Sequence, residues 1–206
     1  GCGCGLVASH IAKAGADLTA IDLTDKAIEI TKKRFEFENL TGNILQMDAE
    51  KLNFPDEHFD YIISWGVIHH SGNMKKIIDE IYRVLKPKGK AYLMIYNKNS
   101  IRYKIYAFLW LGIFKGKLLK HTFPEVVGLI TDGYFARHLN EQEFIEMTEN
   151  KYHSFKFSYS EQNNVILGYA FSHLKKIFNL VPSIKKRLEK YLAKKWGWFM
   201  QIELQK

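Results

Sequence analysis

Apolar and polar positions along the first hundred residues predict helices and strands in alternation. Helical spacing of apolar residues predicts three helices, at residues 6–14, 25–38 and 74–85. Short apolar runs predict four strands, at 18–22, 44–47, 59–64 and 91–96. The run 59–64 is apolar almost throughout, which is typical of a strand buried on both faces. This alternation predicts an α/β fold with a doubly wound, mostly parallel sheet and helices on both sides.

After residue 97 the alternation lapses. Residues 97–137 predict two helices, at 99–115 and 124–130, which we expect to form a helical cap inserted into one domain covering residues 1–206. Asn140 and Glu143 are typical of a capping box, which opens a helix reaching residue 149. The remaining predicted elements are a strand at 155–160, two helices divided by Pro182, and a last strand at 198–204.

Three glycines at alternate positions, Gly1, Gly3 and Gly5, precede the first predicted helix. They indicate a backbone that approaches a ligand closely or takes dihedral angles that side chains forbid. Asp22 ends the strand that follows, so its carboxylate is expected to bind ribose hydroxyls. Leu6 occupies the position where the dinucleotide-binding motif has glycine or alanine, which disfavours a dinucleotide. A strand should lead into such a loop, so we expect the domain to lack its first, central strand.

Composition limits the class of protein. With 206 residues, 47% of them hydrophobic, the chain can bury one sizeable core. No apolar stretch reaches the ~18 to 20 residues that span a bilayer. Cys2 and Cys4 are too close for an easy disulfide and too few for a zinc site, so we expect no metal and a reducing compartment, the cytoplasm.

The formal charge of +8 is concentrated in the second half of the chain. Residues 98–120 carry six basic side chains and no acidic one. Within them, the large apolar side chains of residues 105–114 are flanked by lysines and are too short a run to span a membrane. A helix this hydrophobic is expected to be covered on most sides, as a lid over the acceptor. The alternative is that part of it contacts an anionic membrane. Both readings place Tyr103, Tyr106 and Trp110 near the acceptor.

Six stretches, taken in order, resemble the motifs of class I S-adenosylmethionine-dependent methyltransferases, in particular the group similar to the ubiquinone/menaquinone-biosynthesis enzymes. The stretches are the glycine loop, Ile21-Asp22, Met47-Asp48-Ala49, Phe54 to Ile63, His69-His70 and Leu85 to Gly89. The resemblance covers about residues 1–96. It implies a Rossmann-like fold with an antiparallel last strand, S-adenosylmethionine as cofactor, and an enzyme that methylates a small lipophilic or aromatic acceptor.

The resemblance also implies the roles of single residues. Gly1, Gly3 and Gly5 would approach the methionine part of the cofactor, and Asp22 would bind both ribose hydroxyls. Leu23 would pack on the adenine, Asp48 would accept from its amino group, and the Ala49 amide would donate to the ring. Ser64, Trp65 and Gly66 would lie beneath the methionine and the sulfonium.

The catalytic residues are less constrained, because methyl transfer needs alignment of the acceptor more than it needs acid or base chemistry. Histidine is the usual base near neutral pH, so His70, beside His69, and Tyr96 at a strand end are the candidates for the acceptor side. A structural role for both histidines stays open. The competing functions are a non-catalytic cofactor-binding module and a nucleic-acid methyltransferase. The latter is disfavoured because no Asn-Pro-Pro-Tyr-type loop follows Ile63.

Overall fold

The computed structural model describes residues 1–131, 135–161 and 182–206. The chain forms two compact units. The first consists of Gly1–Phe59 and Asn73–Pro87, and the second of Asp60–Gly72 and Lys88–Lys206. The helix predicted directly before Pro182 lies outside the described residues.

The first unit contains three helices and a parallel strand pair. The helices are α1 (Leu6–Lys13), α2 (Asp25–Phe37) and α3 (Met74–Val84), and the strands are β1 (Thr19–Asp22) and β2 (Asn43–Gln46). β1 pairs with β2 in parallel, with Asp22 opposite Gln46. The core cluster of this unit consists of Ala8, Ala20, Ile28, Phe35 and Ile44.

Local signals set the helix ends in this unit. The Thr24 hydroxyl accepts from the Ala27 amide at 3.4 Å, and the Asn73 side chain accepts from the Lys76 amide at 3.1 Å. Both are N-cap bonds, which satisfy amides that have no partner inside the helix. The predicted apolar stripe of α3 is buried at Ile77, Ile78, Ile81 and Val84.

The second unit is built on a five-stranded sheet. Its strands are β3 (Phe59–Trp65), β4 (Leu85–Asn97), β5 (His138–Leu139), β6 (Ser154–Ser160) and β7 (Phe199–Gln205). The order is β3-β4-β7-β6, and β5 pairs in parallel with the end of β4. β7 is antiparallel to both β4 and β6, so the predicted antiparallel last strand is confirmed, as is the α/β fold class.

The prediction that the strand near 59–64 is buried on both faces is wrong. Tyr61 is 48% exposed, Ile63 39% and Trp65 43%. These side chains are exposed because β3 is the edge strand of its sheet in the described part of the chain. A sequence pattern reports the hydrophobicity of a strand but not how many neighbours it has.

The second unit has four helices in its described part. They are α4 (Arg102–Phe114), α5 (Phe123–Gly128), α6 (Glu141–Met147) and α7 (Pro182–Trp196). The capping box predicted for α6 is present, with Asn140 and Glu143 bonded to each other's amides at 2.9 Å.

α4 differs from expectation in two ways. It is π-helical, as in the 2.9 Å bond from the Lys115 amide to the Trp110 carbonyl five residues back. It is also not covered on most sides, since Ile113 is 54% and Phe114 75% exposed. In the described chain it packs mainly against α5 and the 3₁₀ turn Lys117–Leu119. Ala107 is fully buried, while Phe108 and Leu109 are exposed along with Ile113 and Phe114.

Candidate active site

The glycine loop is joined directly to the carboxylate at the end of β1. The Gly3 amide donates to Asp22 Oδ2 at 2.9 Å, and the Thr24 amide and hydroxyl each donate to Asp22 Oδ1 at 3.0 Å. Three of about four acceptor positions of the carboxylate are therefore filled by the loop and the helix start. An acceptor position on Oδ2 remains, and the Thr24 hydroxyl can rotate to release another.

Hydrogen bonding makes Asp22 a stable anion. Partial burial acts to raise the pKa of Asp22, but the bonds from Thr24 and Gly3 outweigh it and hold the pKa below its ordinary value. A carboxylate that is ionised at neutral pH is the group that binds vicinal hydroxyls best.

Glycine suits positions 3 and 5 of the loop for different structural reasons. Gly5 has φ +74°, and a Cβ there would lie 2.8 Å from Thr31 Cγ2 on α2. Gly5 therefore permits the close approach of the loop to α2. Gly3 has φ +56°, and a Cβ there would meet no atom within 4 Å. Gly3 thus faces open space, where a ligand can approach the backbone.

The other residues of the first unit that are predicted to bind the nucleoside follow the C-terminal ends of β1 and β2. The Gln46 side-chain amide donates to the Leu23 carbonyl at 3.1 Å, which ties the segment after β1 to β2. Leu23 is 64% exposed, so an apolar surface is available to a flat ring. Asp48 Oδ1 accepts from the Glu50 amide at 2.8 Å and leaves Oδ2 without a described partner, while Ala49 is half-buried. A strand-tip carboxylate, an exposed apolar side chain and a second acid fit a nucleoside.

Ser64, Trp65 and Gly66 lie in the second unit, at the end of β3. The Trp65 ring lies 5.9 Å from the ring of Tyr92. Gly66 has φ +74°, and its amide donates to the Met94 carbonyl at 3.2 Å. The predicted cofactor residues therefore fall in both units.

The two predicted acceptor-side residues lie together in the second unit. Tyr96 is buried, and its ring centroid is 5.8 Å from that of His70 in an edge-to-face contact. His69 lies 4.2 Å and His138 5.4 Å from the same ring. Tyr96 is thus surrounded by three imidazoles.

The hydrogen bonding of His70 fixes its tautomer. Its Nδ1 lies 2.7 Å from the carbonyl oxygen of Phe135. A carbonyl can only accept, so Nδ1 carries the proton in the neutral ring and Nε2 carries the lone pair. His70 Nε2 is therefore the nitrogen that can take a proton from a ligand.

The other two histidines are neutral. Burial lowers the pKa of His69 to about 3 and that of His138 to about 4. His138 Nδ1 lies 3.2 Å from the Ala136 carbonyl, which leaves the lone pair on Nε2 by the same reasoning. His138 Nε2 and both nitrogens of His69 are buried without a hydrogen-bond partner among the described residues.

Sequence reasoning missed His138 and Arg137. β5 has two residues, too few for a sequence pattern, yet its register sets His138 beside Tyr96. The Arg137 amide donates to the His69 carbonyl at 2.8 Å, and its guanidinium donates to the carbonyls of Ser71 and Gly72. Arg137 thereby fixes the segment that supplies the partners of both His70 and His138.

Two adjoining spaces lie beside this cluster. An inner cavity of about 160 Å³ is lined by Tyr103, Pro124, Val127, Gly128, Thr131, Phe135, Ala136 and His138. An outer, open groove of about 400 Å³ is lined by Tyr103, Lys104, Ile105, Phe108, Leu109 and Phe123. Apolar side chains form most of both walls.

The described residues contain no helix long and apolar enough to cross a membrane. In the same part of the chain, no three His, Cys, Asp or Glu side chains are grouped so as to hold a metal ion.

Comparison with known proteins finds sequence relatives for about half of this chain. Residues 1–93 match the family model described as a methyltransferase domain. A ubiquinone biosynthesis O-methyltransferase from Coxiella burnetii is 30% identical over 112 residues, which cover 54% of this chain and 47% of that protein. The chain thus spans about half the length of the curated relatives it matches.

Solved structures share the fold at low identity. A SAM-dependent methyltransferase from Archaeoglobus fulgidus has a TM-score of 0.66 at 13% identity, covering 100% of this chain and 83% of that one. The 4+2 cyclase SpnF has a TM-score of 0.62 at 16% identity, covering 100% of this chain and 72% of that one. Since SpnF is a cyclase by name, the fold by itself does not determine the reaction.

Proposed function

We propose that this chain, a member of the class I S-adenosylmethionine-dependent methyltransferases, transfers a methyl group to a hydroxyl on a small lipophilic aromatic acceptor. The family resemblance inferred from the sequence is confirmed by the match over residues 1–93. The observation that carries the proposal is the bond between the Gly3 amide and Asp22, which joins the glycine loop to the strand-tip carboxylate.

In this proposal the first unit holds the nucleoside end of the cofactor. Asp22 accepts from the ribose hydroxyls, Leu23 covers the adenine, and Asp48 and Ala49 bind the adenine edge. Gly1, Gly3 and Gly5 lie along the methionine. Ser64 and Trp65 belong to the second unit, and their contact with the cofactor stays a prediction from the sequence. S-adenosylmethionine, when bound, supplies a methyl group that its positively charged sulfur has already activated for displacement.

His70 is the proposed base. A phenolic or alcoholic acceptor keeps its proton at neutral pH, so a base is needed as the oxygen forms its bond to the methyl carbon. His70 Nε2 has the lone pair for this proton, because Nδ1–H is committed to Phe135. Tyr96 contacts the His70 ring edge-to-face and so helps to hold its orientation. Hydroxyl chemistry also agrees with the Coxiella burnetii relative, which is named an O-methyltransferase.

The helical segment 97–137 is the proposed cap of the acceptor site. The inner cavity is bounded by Val127, Phe135 and Tyr103 on its apolar sides and by His138 at a polar end. A cavity of this size holds a single aromatic ring, since ~150 Å³ is enough for benzene. The free thiols of Cys2 and Cys4 suit the reducing cytoplasm, where we place the protein.

A peripheral membrane contact is proposed for the outer surface of the cap. Ile113, Phe114 and Leu119 are 54%, 75% and 88% exposed, and Lys115 and Lys117 lie among them. Apolar side chains next to lysines suit the interface of an anionic bilayer. We expect the full-length protein to sediment with phosphatidylglycerol-containing vesicles and to be released by salt.

The control for the membrane contact is a variant in which Lys115, Lys117 and Lys120 become Gln, and its vesicle binding should fall. A variant with Lys32→Gln and Lys33→Gln, two exposed lysines of α2 in the first unit, should leave vesicle binding unchanged. Absence of sedimentation at low salt would refute the membrane contact and leave the segment as a cap alone.

The reaction itself is tested by incubating the full-length protein with S-adenosylmethionine labelled in the methyl group and a panel of substituted phenols. Labelled methyl ethers are expected, and their formation should require His70. Binding of the cofactor without any labelled product would favour the alternative of a non-catalytic binding module. Label recovered only in nucleic acid would favour the alternative of a nucleic-acid methyltransferase.

A further inference from the structure

Tyr103 is the residue that lines both the inner cavity and the outer groove. Its ring meets Phe123, a wall of the groove, at a centroid distance of 5.0 Å and nearly perpendicular. It also meets His138, the polar end of the inner cavity, at 4.8 Å. The ring is therefore in contact with one member of each space and lies between them.

The ring is held at that position from more than one direction. Tyr103 is in the first turn of α4, where its amide donates to the Ser100 hydroxyl at 3.1 Å. Phe123 is itself packed edge-to-face against Phe108, with centroids 5.4 Å apart. Because the backbone of Tyr103 is hydrogen-bonded and its ring is packed on two sides, displacement of the ring by a small ligand would cost free energy.

The two spaces differ in chemistry. The groove is lined by the apolar side chains of Ile105, Phe108, Leu109 and Phe123, together with Tyr103 and Lys104. The inner cavity has Tyr103, Thr131 and His138 among its lining residues, so part of its wall is polar. The inner cavity thus suits an aromatic ring that carries a polar group, and the groove suits an alkyl chain.

We infer that Tyr103 is a specificity-determining residue, whose ring limits the length of the acceptor by closing the inner cavity against the groove. This inference rests on the proposed function for the chemical class of the acceptor. In the wild-type protein a ring with a short substituent fits the inner cavity, and a longer alkyl chain collides with Tyr103. Removing the ring joins the cavity to the groove, so that a chain can extend along the apolar wall.

The test measures binding of para-alkylphenols, from para-cresol to para-hexylphenol, to the full-length protein by calorimetry. For the wild type, affinity is expected to stop rising, or to fall, after the first one or two carbons of the chain. For Tyr103→Ala, affinity should rise roughly two- to fourfold per added methylene, as expected when apolar surface leaves water. Tyr103→Phe is the matched control, because it keeps the ring, and it should behave as the wild type does.

Thermal unfolding is measured for each variant, and Tyr103→Leu, which preserves apolar bulk but is narrower, replaces Tyr103→Ala if that variant does not fold. A wild-type affinity that rises steadily up to the hexyl chain would overturn the inference, as would a chain-length profile that Tyr103→Ala and Tyr103→Leu leave unchanged.

Failure of this inference is distinguishable from failure of the proposed function. Methyl transfer to phenols without any effect of Tyr103 on chain length refutes the inference alone. The expected chain-length profile without methyl transfer supports the inference and refutes the reaction, because the binding measurement requires no chemistry.

Discussion

Replacing Asp22 tests the cofactor site most sharply, because its carboxylate joins the glycine loop to the ribose position. Asp22→Ala removes the acceptor of three bonds, from the Gly3 amide at 2.9 Å and from the Thr24 amide and hydroxyl at 3.0 Å each. These donors are exposed, so water can replace much of the hydrogen bonding that they lose with the carboxylate. The larger effect is on the ligand, which loses one or two bonds to a charged group.

The magnitude follows from the number of bonds. Hydrogen bonds to a charged group contribute about 1.5 kcal/mol each at the lower end of the measured range, so loss of one or two of them in Asp22→Ala should weaken S-adenosylhomocysteine binding by about 1.5 to 3 kcal/mol. This corresponds to roughly a 10- to 150-fold rise in Kd. Asp22→Asn keeps one acceptor oxygen but turns an amide NH₂ toward either Gly3 or Thr24, so its effect should be intermediate.

Calorimetry on the full-length protein measures the affinity, and circular dichroism establishes that the variants are folded. Asp17→Ala is the matched control, since Asp17 is an exposed acid in the same unit and outside the loop. Its Kd should stay within about twofold of the wild type, as expected of a surface substitution away from the ligand. A folded Asp22→Ala protein with wild-type affinity would refute the assignment of the site.

Three further predictions follow from the same structure. His70→Ala should lower the turnover rate by ~10²-fold while cofactor affinity barely changes, and a loss below about threefold would assign His70 a structural role. Gly5→Ala should destabilise the protein by about 2 to 4 kcal/mol in chemical unfolding, because its Cβ meets Thr31 Cγ2 at 2.8 Å in a left-handed conformation. Gly3→Ala, with open space around its Cβ, should cost only about 1 to 2 kcal/mol, and equal losses at the two positions would contradict this contrast. Burial lowers the pKa of His69 from 6.5 to about 3, so the unfolded state binds more protons between these values and the free energy of unfolding should fall as the pH drops below about 6.5, by up to about 1.4 kcal/mol per pH unit. His69→Phe should flatten this slope, and a slope identical to that of the wild type would show that His69 is not its source.

Features encoded within a few residues were predictable from the sequence. Thr24 and Asn73 cap their helices, and Asn140 opens the capping box, because each side chain bonds to an amide three residues away. The apolar stripe of α3 predicted its buried face because helical periodicity converts spacing directly into direction. The glycine loop and Asp22 were recognisable for the same reason, since the motif is short and contiguous.

Features set by distant neighbours were not predictable. The exposure of β3 depends on which strands lie beside it, and the open surface of α4 depends on what packs against it. His138 reaches Tyr96 only through the register of a two-residue strand. Arg137 acquires its role from carbonyls more than sixty residues earlier in the chain. No local pattern contains these relationships.

The two predicted acceptor-side residues, His70 and Tyr96, differ in how much of their role the sequence could indicate. His70 was predicted from the chemistry of imidazole, but its usable nitrogen is identified only by the long-range bond to Phe135. Tyr96 was predicted from its position at a strand end, and its burial among three imidazoles suits a positioning role in the proposal.

Mass spectrometry of small molecules is the most direct test of the proposed reaction. Extracts from cells with and without the full-length protein are compared, with an Asp22→Ala strain as the control for cofactor binding. A lipophilic aromatic metabolite heavier by one CH₂ group should depend on the wild-type protein and disappear in both other strains. Identical metabolite profiles in all three strains, with the wild-type protein present and folded, would contradict methyl transfer to a small molecule.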